Sequence, residues 1–142
     1  MSRSLVALAL LVALASGACG ERYPDSARRE VRLGDRMWTA LLADRDGMRG
    51  MADFDGADGM LFDFDQDIDP TAVVFVMDGV AFPLDIAWFT DSGELVGTAS
   101  MAVCPAKPCP TYAAPGPFRW AIEAPPGAFA DLRETDRLVV SP

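Results

Sequence analysis

Short apolar segments, separated by turns rich in glycine and proline, recur along most of the chain. Segments of this kind, bounded by turn-forming residues, are typical of β-strands. Gly34-Asp35 separates the first two segments and fits a hairpin turn. The pattern predicts strands at Val31–Leu33, Met37–Leu42, Met60–Phe64, Val73–Met77, Leu84–Thr90, Glu94–Met101, Phe118–Ala124 and Leu138–Ser141.

Two segments are expected to form short helices. Asp44 can cap a helix that runs to Met51, because its carboxylate can accept hydrogen bonds from the first free backbone N–H groups. A second helical turn is expected at Ala128–Leu132, after Pro125-Pro126-Gly127 ends the preceding strand. About eight short strands with one or two short helices predict a mainly β fold, either a compact sandwich or a barrel.

The amino-terminal residues predict export. An unbroken run of Leu, Val and Ala extends from Leu5 to Ala15 and is followed by small residues before Cys19. This order is typical of a secretory signal peptide, and the run is shorter than the roughly 20 apolar residues that a membrane-spanning helix needs. We therefore expect residues 1–18 to be removed after export.

Two kinds of cleavage fit the residues before Cys19. Ser16 and Ala18 suit ordinary signal peptidase, whereas a cysteine after small residues resembles a bacterial lipobox, whose cysteine becomes lipidated. The lipobox usually has a large aliphatic residue at the position of Ser16. We favour lipidation because Cys19 would otherwise be an unpaired thiol in an oxidising compartment. Residues 19–30 would then be a flexible tether that joins a membrane anchor to a single domain, residues 31–142.

Cys104 and Cys109 flank a loop that contains two prolines. In an exported protein such cysteines are expected to form a disulfide, and four intervening residues allow their Cα atoms to approach within bonding range. A redox motif is disfavoured because its two-residue spacing is missing. A metal site is disfavoured because two thiols without histidine supply half of a tetrahedral shell. We therefore predict a structural disulfide.

The composition excludes several classes of function. The 142 residues include 21 Asp and Glu, 12 Lys and Arg, and no His, which gives a net charge of -9. Without His the chain has no Ser-His-Asp or Cys-His nucleophile pair. An acidic chain whose single lysine is Lys107 lacks the cationic surface that neutralises phosphates. We therefore expect no nucleic-acid partner, and no feature of the sequence indicates a cofactor.

Aspartates are concentrated in one stretch, from Asp53 to Asp69. The alternation of Asp63, Asp65 and Asp67 is similar to the start of an EF-hand calcium loop. That loop also needs a glycine and a bidentate glutamate, at positions where this chain has isoleucine and valine. Calcium is therefore the weaker interpretation, and we favour a solvated acidic loop without a metal.

Asp85 is the first candidate for a binding residue, because it interrupts an apolar strand. A carboxylate in that setting must face water or find hydrogen bonds. In a pocket with Asp78 or Glu123, it would form a carboxylate pair able to act as acid and base or to bind sugar hydroxyls. Alternatively, Asp85 accepts hydrogen bonds from backbone N–H groups or pairs with Arg45 or Arg49. We assign no catalytic residue, and the candidate ligand-binding residues are Asp85, Asp78, Glu123 and Arg49.

Three blocks of the sequence resemble the DUF192 family, an uncharacterised group of small, often exported, bacterial and archaeal β proteins. In the first block, residues 45–51 (RDGMRGM) and 59–62 (GMLF) are similar to the family's RGLM and GMLF signatures. In the second, residues 75–77 (FVM) and 83–86 (PLDI) are similar to F-x-M and PLDI. The third block, residues 120–127 (WAIEAPPG), is similar to Y-x-L-E-x-x-x-G.

The resemblance covers about residues 31–141 and implies a sandwich-like β fold, without implying an activity. The chain departs from the family pattern at residues 78–80, where Asp-Gly-Val replaces a Lys-Asn-Thr-like triplet. It departs again at Thr135-Asp136, where the family has Gly-Asp. If the family has a polar site at the triplet, its chemistry has changed in this member.

Two functions remain open. The first, which we favour, is a non-catalytic module of the bacterial cell envelope, lipid-anchored or secreted into the periplasm, that binds a small saccharide-like ligand or a partner protein. The second is a carboxylate-dependent hydrolase that acts on a cell-envelope glycan. Binding ranks first because no nucleophile and base pair is recognisable. We expect a monomer that is attached to the membrane through Cys19 if this residue is lipidated.

Overall fold

Nine strands form the fold of residues 27–142, the part of the chain that the computed structural model describes. The predicted signal peptide, most of the predicted tether and Cys19 lie outside this part. The strands are β1 (Arg28–Leu33), β2 (Arg36–Leu42), β3 (Gly59–Ile68), β4 (Phe75–Val76), β5 (Leu84–Phe89), β6 (Leu95–Met101), β7 (Thr111–Tyr112), β8 (Phe118–Ala124) and β9 (Leu138–Val140).

Seven of the strands form one sheet, in the order β6-β5-β8-β3-β2-β1-β9, and β4 pairs with β7 in a separate small sheet. Paired strands run antiparallel except β2 and β3, which run parallel. An isolated bridge between Glu94 and Arg137 joins the chain just before β6 to the chain just before β9, the two edge strands. The large sheet remains open, so the predicted mainly β fold is confirmed but a closed barrel is not formed.

Most of the predicted strands are confirmed. β8 has the predicted bounds, and the hairpin of β1 and β2 turns at Gly34, whose φ of 58° suits a residue without a Cβ. β1 begins at Arg28, inside the segment expected to be a tether. β4 retains only Phe75–Val76 of the predicted strand, and β7 was not predicted. Two-residue strands are too short to show a hydrophobic period.

Neither predicted helix forms. Residues 45–50 and 126–131 are turns, and no helix in residues 27–142 is long and apolar enough to span a membrane. The carboxylate of Asp44 still accepts hydrogen bonds from the backbone N–H groups of Asp46 and Gly47, at 2.8 Å and 3.1 Å. Gly47 and Gly50 have φ values of 52° and 72°. These left-handed conformations interrupt a right-handed helix within a single turn.

Both faces of the seven-stranded sheet are buried. On β3, Met60 belongs to one apolar cluster and Leu61 to another, and on β5 Ile86 and Ala87 divide in the same way. This division follows from the opposite directions of successive side chains in a strand. We call the side with Met60 and Ile86 the Met60 face, and the side with Leu61 and Ala87 the Leu61 face.

Turns and the small sheet cover the Met60 face, where Met48, Phe54 and Phe75 pack against the side chains of the large sheet. On the Leu61 face, Phe129 stacks on Trp38 with a ring-centroid distance of 5.6 Å. Most side chains of β5 and β8 are therefore apolar, whichever face of the sheet they point to. A polar residue in these strands is exceptional on either face.

Cys104 and Cys109 form the predicted disulfide, with their Cα atoms 5.3 Å apart. Within the loop that it closes, the Lys107 ammonium group lies 3.2 Å from a carboxylate oxygen of Asp78. The disulfide loop therefore lies directly beside the turn that follows β4.

Gly59 provides a test of the contact between β3 and β8. A Cβ atom at this position would lie 2.6 Å from the backbone oxygen of Glu123, closer than real Cβ atoms approach. We expect Gly59→Ala to lower the free energy of unfolding by about 1–3 kcal/mol, because the β8 backbone must shift to accommodate the methyl group. Urea denaturation of both proteins measures this difference.

Gly116→Ala is the matched control for that substitution. A Cβ atom at Gly116 would meet its nearest neighbour, the Cγ1 of Val96, at 3.5 Å, which is an ordinary contact. The control should retain nearly the wild-type stability. Equal stabilities of the two variants would contradict the close approach of β3 to β8.

Candidate functional site

A cavity of about 370 Å³ opens beside the Met60 face. It lies between the turn that follows β2, the middle of β3, and β4 with the turn that follows it. Volumes of this order are typical of small-molecule sites. Its apolar wall consists of Met48, Phe62, Phe64, Val73, Phe75 and Val80.

Glu123 lines this cavity, which we call the Glu123 cavity. β8 places Glu123 opposite Met60 of β3 on one side and Ile86 of β5 on the other, so both cross-strand neighbours are apolar. The residue is 6% exposed and is the only buried charged residue in the described part of the chain. No hydrogen bond or ion pair joins its carboxyl group to another residue of this part.

Burial raises the pKa of Glu123 from its ordinary value of 4.5 to about 7. The cause is desolvation, because a carboxylate removed from water without a partner is less stable than the neutral acid. Near neutral pH the group therefore changes readily between a hydrogen-bond donor and a negatively charged acceptor. A group with this behaviour can bind a ligand or transfer a proton.

Charged side chains surround the entrance to the Glu123 cavity. A guanidinium nitrogen of Arg49 lies 3.1 Å from one carboxylate oxygen of Asp78, and Lys107 lies near the other oxygen. The backbone N–H of Gly50 also donates a hydrogen bond to the carbonyl of Gly79, at 3.0 Å. Exposed ion pairs of this kind stabilise a protein by at most about 1 kcal/mol. Their main effect here is to hold the turn after β2 against the turn after β4.

The structure brings together three of the four predicted ligand-binding residues. Glu123, Asp78 and Arg49 all line the same cavity. Asp85 does not, because it pairs with Ala124 and its side chain therefore projects from the Leu61 face. Its carboxylate accepts a hydrogen bond from the backbone N–H of Gly127, at 2.7 Å. Asp85 therefore does not join Asp78 or Glu123, and it accepts a backbone hydrogen bond, as in the alternative interpretation.

The aspartates considered for calcium do not form a joint site. Asp63 is paired with Arg119 at 2.9 Å, and Asp67 accepts a hydrogen bond from the backbone N–H of Asp91 at 2.7 Å. Asp65 has a φ of 66°, in an irregular stretch of the pairing between β3 and β8. Among residues 27–142, no three acidic, cysteine or histidine side chains are close enough to hold a metal ion.

The sequence did not reveal the aromatic part of the cavity wall, which we call the aromatic wall (Phe62, Phe64 and Phe75), or the turn after β2 that lies at the entrance. Phe62, Phe64 and Phe75 look like ordinary core residues of strands, and the turn was predicted to be a helix. Phe62 and Phe75 meet edge to face, with ring centroids 5.3 Å apart. The three sequence blocks that resemble the family nevertheless pointed to this site. Each block contributes a residue that lines the cavity, namely Phe62, Phe75 and Glu123. Asp78 and Val80, which depart from the family triplet, also line the cavity.

Comparisons with known proteins show the family and the fold. Residues 36–140 match the family model of DUF192, described as "Uncharacterized ACR". One similar solved structure is a Sinorhizobium meliloti protein named as a "putative transcription regulator". It has 23% identity and a TM-score of 0.66, over 80% of this chain and 94% of that chain. Another is a Novosphingobium aromaticivorans protein of unknown function, with 18% identity and a TM-score of 0.64, over 78% of this chain and 83% of that one. No curated protein matches the chain.

The raised pKa of Glu123 predicts a pH-dependent stability. In the folded protein the pKa of Glu123 is about 7, above its ordinary value of 4.5, so the folded state holds the proton more tightly than the unfolded state. The contribution of the protonated Glu123 to the free energy of unfolding is therefore complete below pH 4.5 and is lost as the pH rises through 7. Over this window the free energy of unfolding of the wild type should fall by on the order of 3 kcal/mol relative to Glu123→Gln, which does not titrate.

Urea denaturation across this pH window tests the prediction. Asp85→Asn is the matched control, because it makes the same carboxyl-to-amide change on the Leu61 face, outside the Glu123 cavity. If the profile of Glu123→Gln runs parallel to the wild type, Glu123 is not a buried, unpartnered acid.

Proposed function

The chain belongs to the DUF192 family, and from this starting point we propose that it is a cell-envelope binding module whose Glu123 cavity holds a small polar ligand. The family is uncharacterised and supplies no activity. The observation that carries the proposal is a buried carboxyl group that lines a cavity of about 370 Å³ without a partner among the described residues. Buried polar groups in proteins are nearly always hydrogen-bonded, and a ligand would supply the missing partner.

The lining of the cavity supports a ligand that is polar on one side and apolar on the other. Aliphatic and aromatic side chains form one part of its wall, and charged residues of the turns after β2 and β4 form the other part. Glu123 offers a hydrogen bond at depth, while Arg49 and Asp78 offer polar contacts at the entrance. A saccharide-like ring fits this division, since hydroxyl groups can meet Glu123 while the C–H face of the ring lies against Phe62 or Phe75.

A carboxylate-dependent hydrolase is the second candidate, and one observation favours it. A glutamic acid with a pKa near 7 is suited to act as a general acid at neutral pH, and Asp78 lines the same cavity. Asp78 is already held by ion pairs with Arg49 and Lys107 at the surface. Binding therefore ranks above hydrolysis.

We also propose that the protein is exported, with Cys19 as a lipid anchor. The Cys104–Cys109 disulfide supports the export, because structural disulfides persist mainly in oxidising compartments. The signal peptide and the anchor rest on the sequence of residues 1–19 alone.

Ligand binding is tested by calorimetry and thermal shift with neutral mono- and disaccharides. We expect at least one of them to bind the wild type, and Glu123→Met to bind it at least about 10-fold more weakly, because the buried polar contact is lost. Asp85→Asn should bind as the wild type does. Release of reducing ends by the wild type but not by Glu123→Met would favour the hydrolase, and equal binding by Glu123→Met and wild type would contradict the site.

Export and lipidation are tested on the full chain in a bacterial host that is labelled with a radioactive fatty acid. We expect the wild type in the membrane fraction with the label, and Cys19→Ser without the label. A wild type that is shortened, unlabelled and soluble outside the cytoplasm would point to ordinary signal peptidase instead. Retention of the full-length chain in the cytoplasm would contradict export altogether.

A further inference from the structure

The Glu123 cavity is lined by more acidic than basic groups. Besides Glu123, the charged residues that line it are Asp44, Arg45, Asp46, Arg49, Asp63 and Asp78. Asp63 pairs with Trp120 and therefore projects from the Leu61 face, so four carboxyl groups and two guanidinium groups border the cavity. The strands beside Glu123, β3 and β5, present the apolar side chains of Met60 and Ile86 to it.

The arginines near the cavity are not available to neutralise Glu123. Arg49 is engaged with Asp78 at the entrance, and Arg45 is an exposed residue. Arg119, which is also on β8, does not line the cavity and is paired with Asp63 and Asp91. The deep end of the cavity thus has a negative group and no positive group of the described chain in contact with it.

We propose that the ligand of the Glu123 cavity is a small organic cation, whose ammonium or guanidinium group pairs with the Glu123 carboxylate while its apolar part packs against the aromatic wall. This inference rests on the proposed function and specifies the chemical class of its ligand. An amino-bearing saccharide belongs to this class, as does a simple cyclic amine.

Three physical arguments favour a cation. A carboxylate in an apolar setting is strongly stabilised by an opposite charge, because the attraction is little screened there. Phe62, Phe64 and Phe75 line the same cavity, and aromatic rings attract cations through their faces. The charges at the entrance balance, with Asp44, Asp46 and Asp78 against Arg45, Arg49 and Lys107, so the uncompensated charge of the cavity is that of Glu123, which attracts positive solutes.

Other ligand classes fit less well. An anion would be repelled by the unpaired carboxylate of Glu123. A divalent metal ion needs six or more oxygen ligands in the case of calcium, and no group of three metal-binding side chains occurs in residues 27–142. A neutral hydroxyl compound can accept the proton of the uncharged form of Glu123 or donate its own O–H to the charged form, but it does not neutralise the buried charge. It remains the competing outcome that the experiment must distinguish.

The experiment uses a matched pair of probes, cyclohexylammonium and cyclohexanol, in calorimetric titrations of the full domain at several pH values below and above 7. The amine remains protonated throughout this range, so Glu123 is the group that titrates. Above pH 7 we expect the cation to bind at least about 10-fold more tightly than the alcohol, and its affinity to fall by up to about 10-fold for each pH unit below 7.

Two variants serve as controls. Glu123→Gln keeps the shape and the hydrogen-bonding capacity of the side chain but not its charge, so it should lose both the preference for the cation and the pH dependence. Asp85→Asn should retain both, because it removes a carboxylate from the other face of the sheet. The pH dependence of the wild type tests the proposal even if Glu123→Gln is unstable.

The outcomes separate this inference from the proposed function. If neutral saccharides bind through Glu123 while cyclohexylammonium shows no advantage over cyclohexanol, the cationic ligand is overturned and the binding module remains. If the cation binds equally well at all pH values or to Glu123→Gln, the pairing with Glu123 is wrong. If neither cations nor neutral compounds bind, the proposed function fails as well.

Discussion

A carboxyl group buried without a partner destabilises a fold unless it takes up a proton or gains a partner from outside, and Glu123 is in this position at the centre of the large sheet. Its strand, β8, lies between β5 and β3, whose facing residues Ile86 and Met60 are apolar and buried. The cavity gives it one open direction. The raised pKa, the proposed binding and the proposed charge of the ligand all follow from this arrangement.

The parts of the chain that frame the cavity are held by local features. Gly47 and Gly50 allow the chain after β2 to turn back over the Met60 face instead of continuing as a helix. Asp78 then links that turn to the disulfide loop through Arg49 and Lys107. Because these contacts are polar and near the surface, they position the entrance without adding much to stability. The large sheet supplies the rigid floor.

Much of the fold could be predicted from the sequence, because strand bounds follow from apolar runs and turn residues. β8 was predicted at its observed bounds, and the disulfide followed from spacing and predicted export. The geometry of the site was less accessible. Because both faces of the sheet are buried, most residues of β5 and β8 are apolar and the two faces cannot be told apart by an alternation of polar and apolar residues. The sequence therefore does not show to which face Asp85 or Glu123 belongs.

Two other features of the site depend on tertiary contacts that no local pattern reports. The turn after β2 contains a good capping residue, Asp44, and so was predicted to be a helix, yet its glycines adopt left-handed conformations as it packs over β3. The aromatic wall consists of residues that serve as core elsewhere in such folds. The aromatic wall differs from ordinary core only in that residues from sequence blocks far apart along the chain meet at one cavity.

The most direct test is a carbon NMR titration of the Glu123 side-chain carboxyl in the free protein, with Glu123→Gln used to assign its signal. A midpoint near 7 is expected, as burial without a partner requires. A midpoint near the ordinary value of 4.5 would show that the group is hydrated or already paired, and would contradict the central claim.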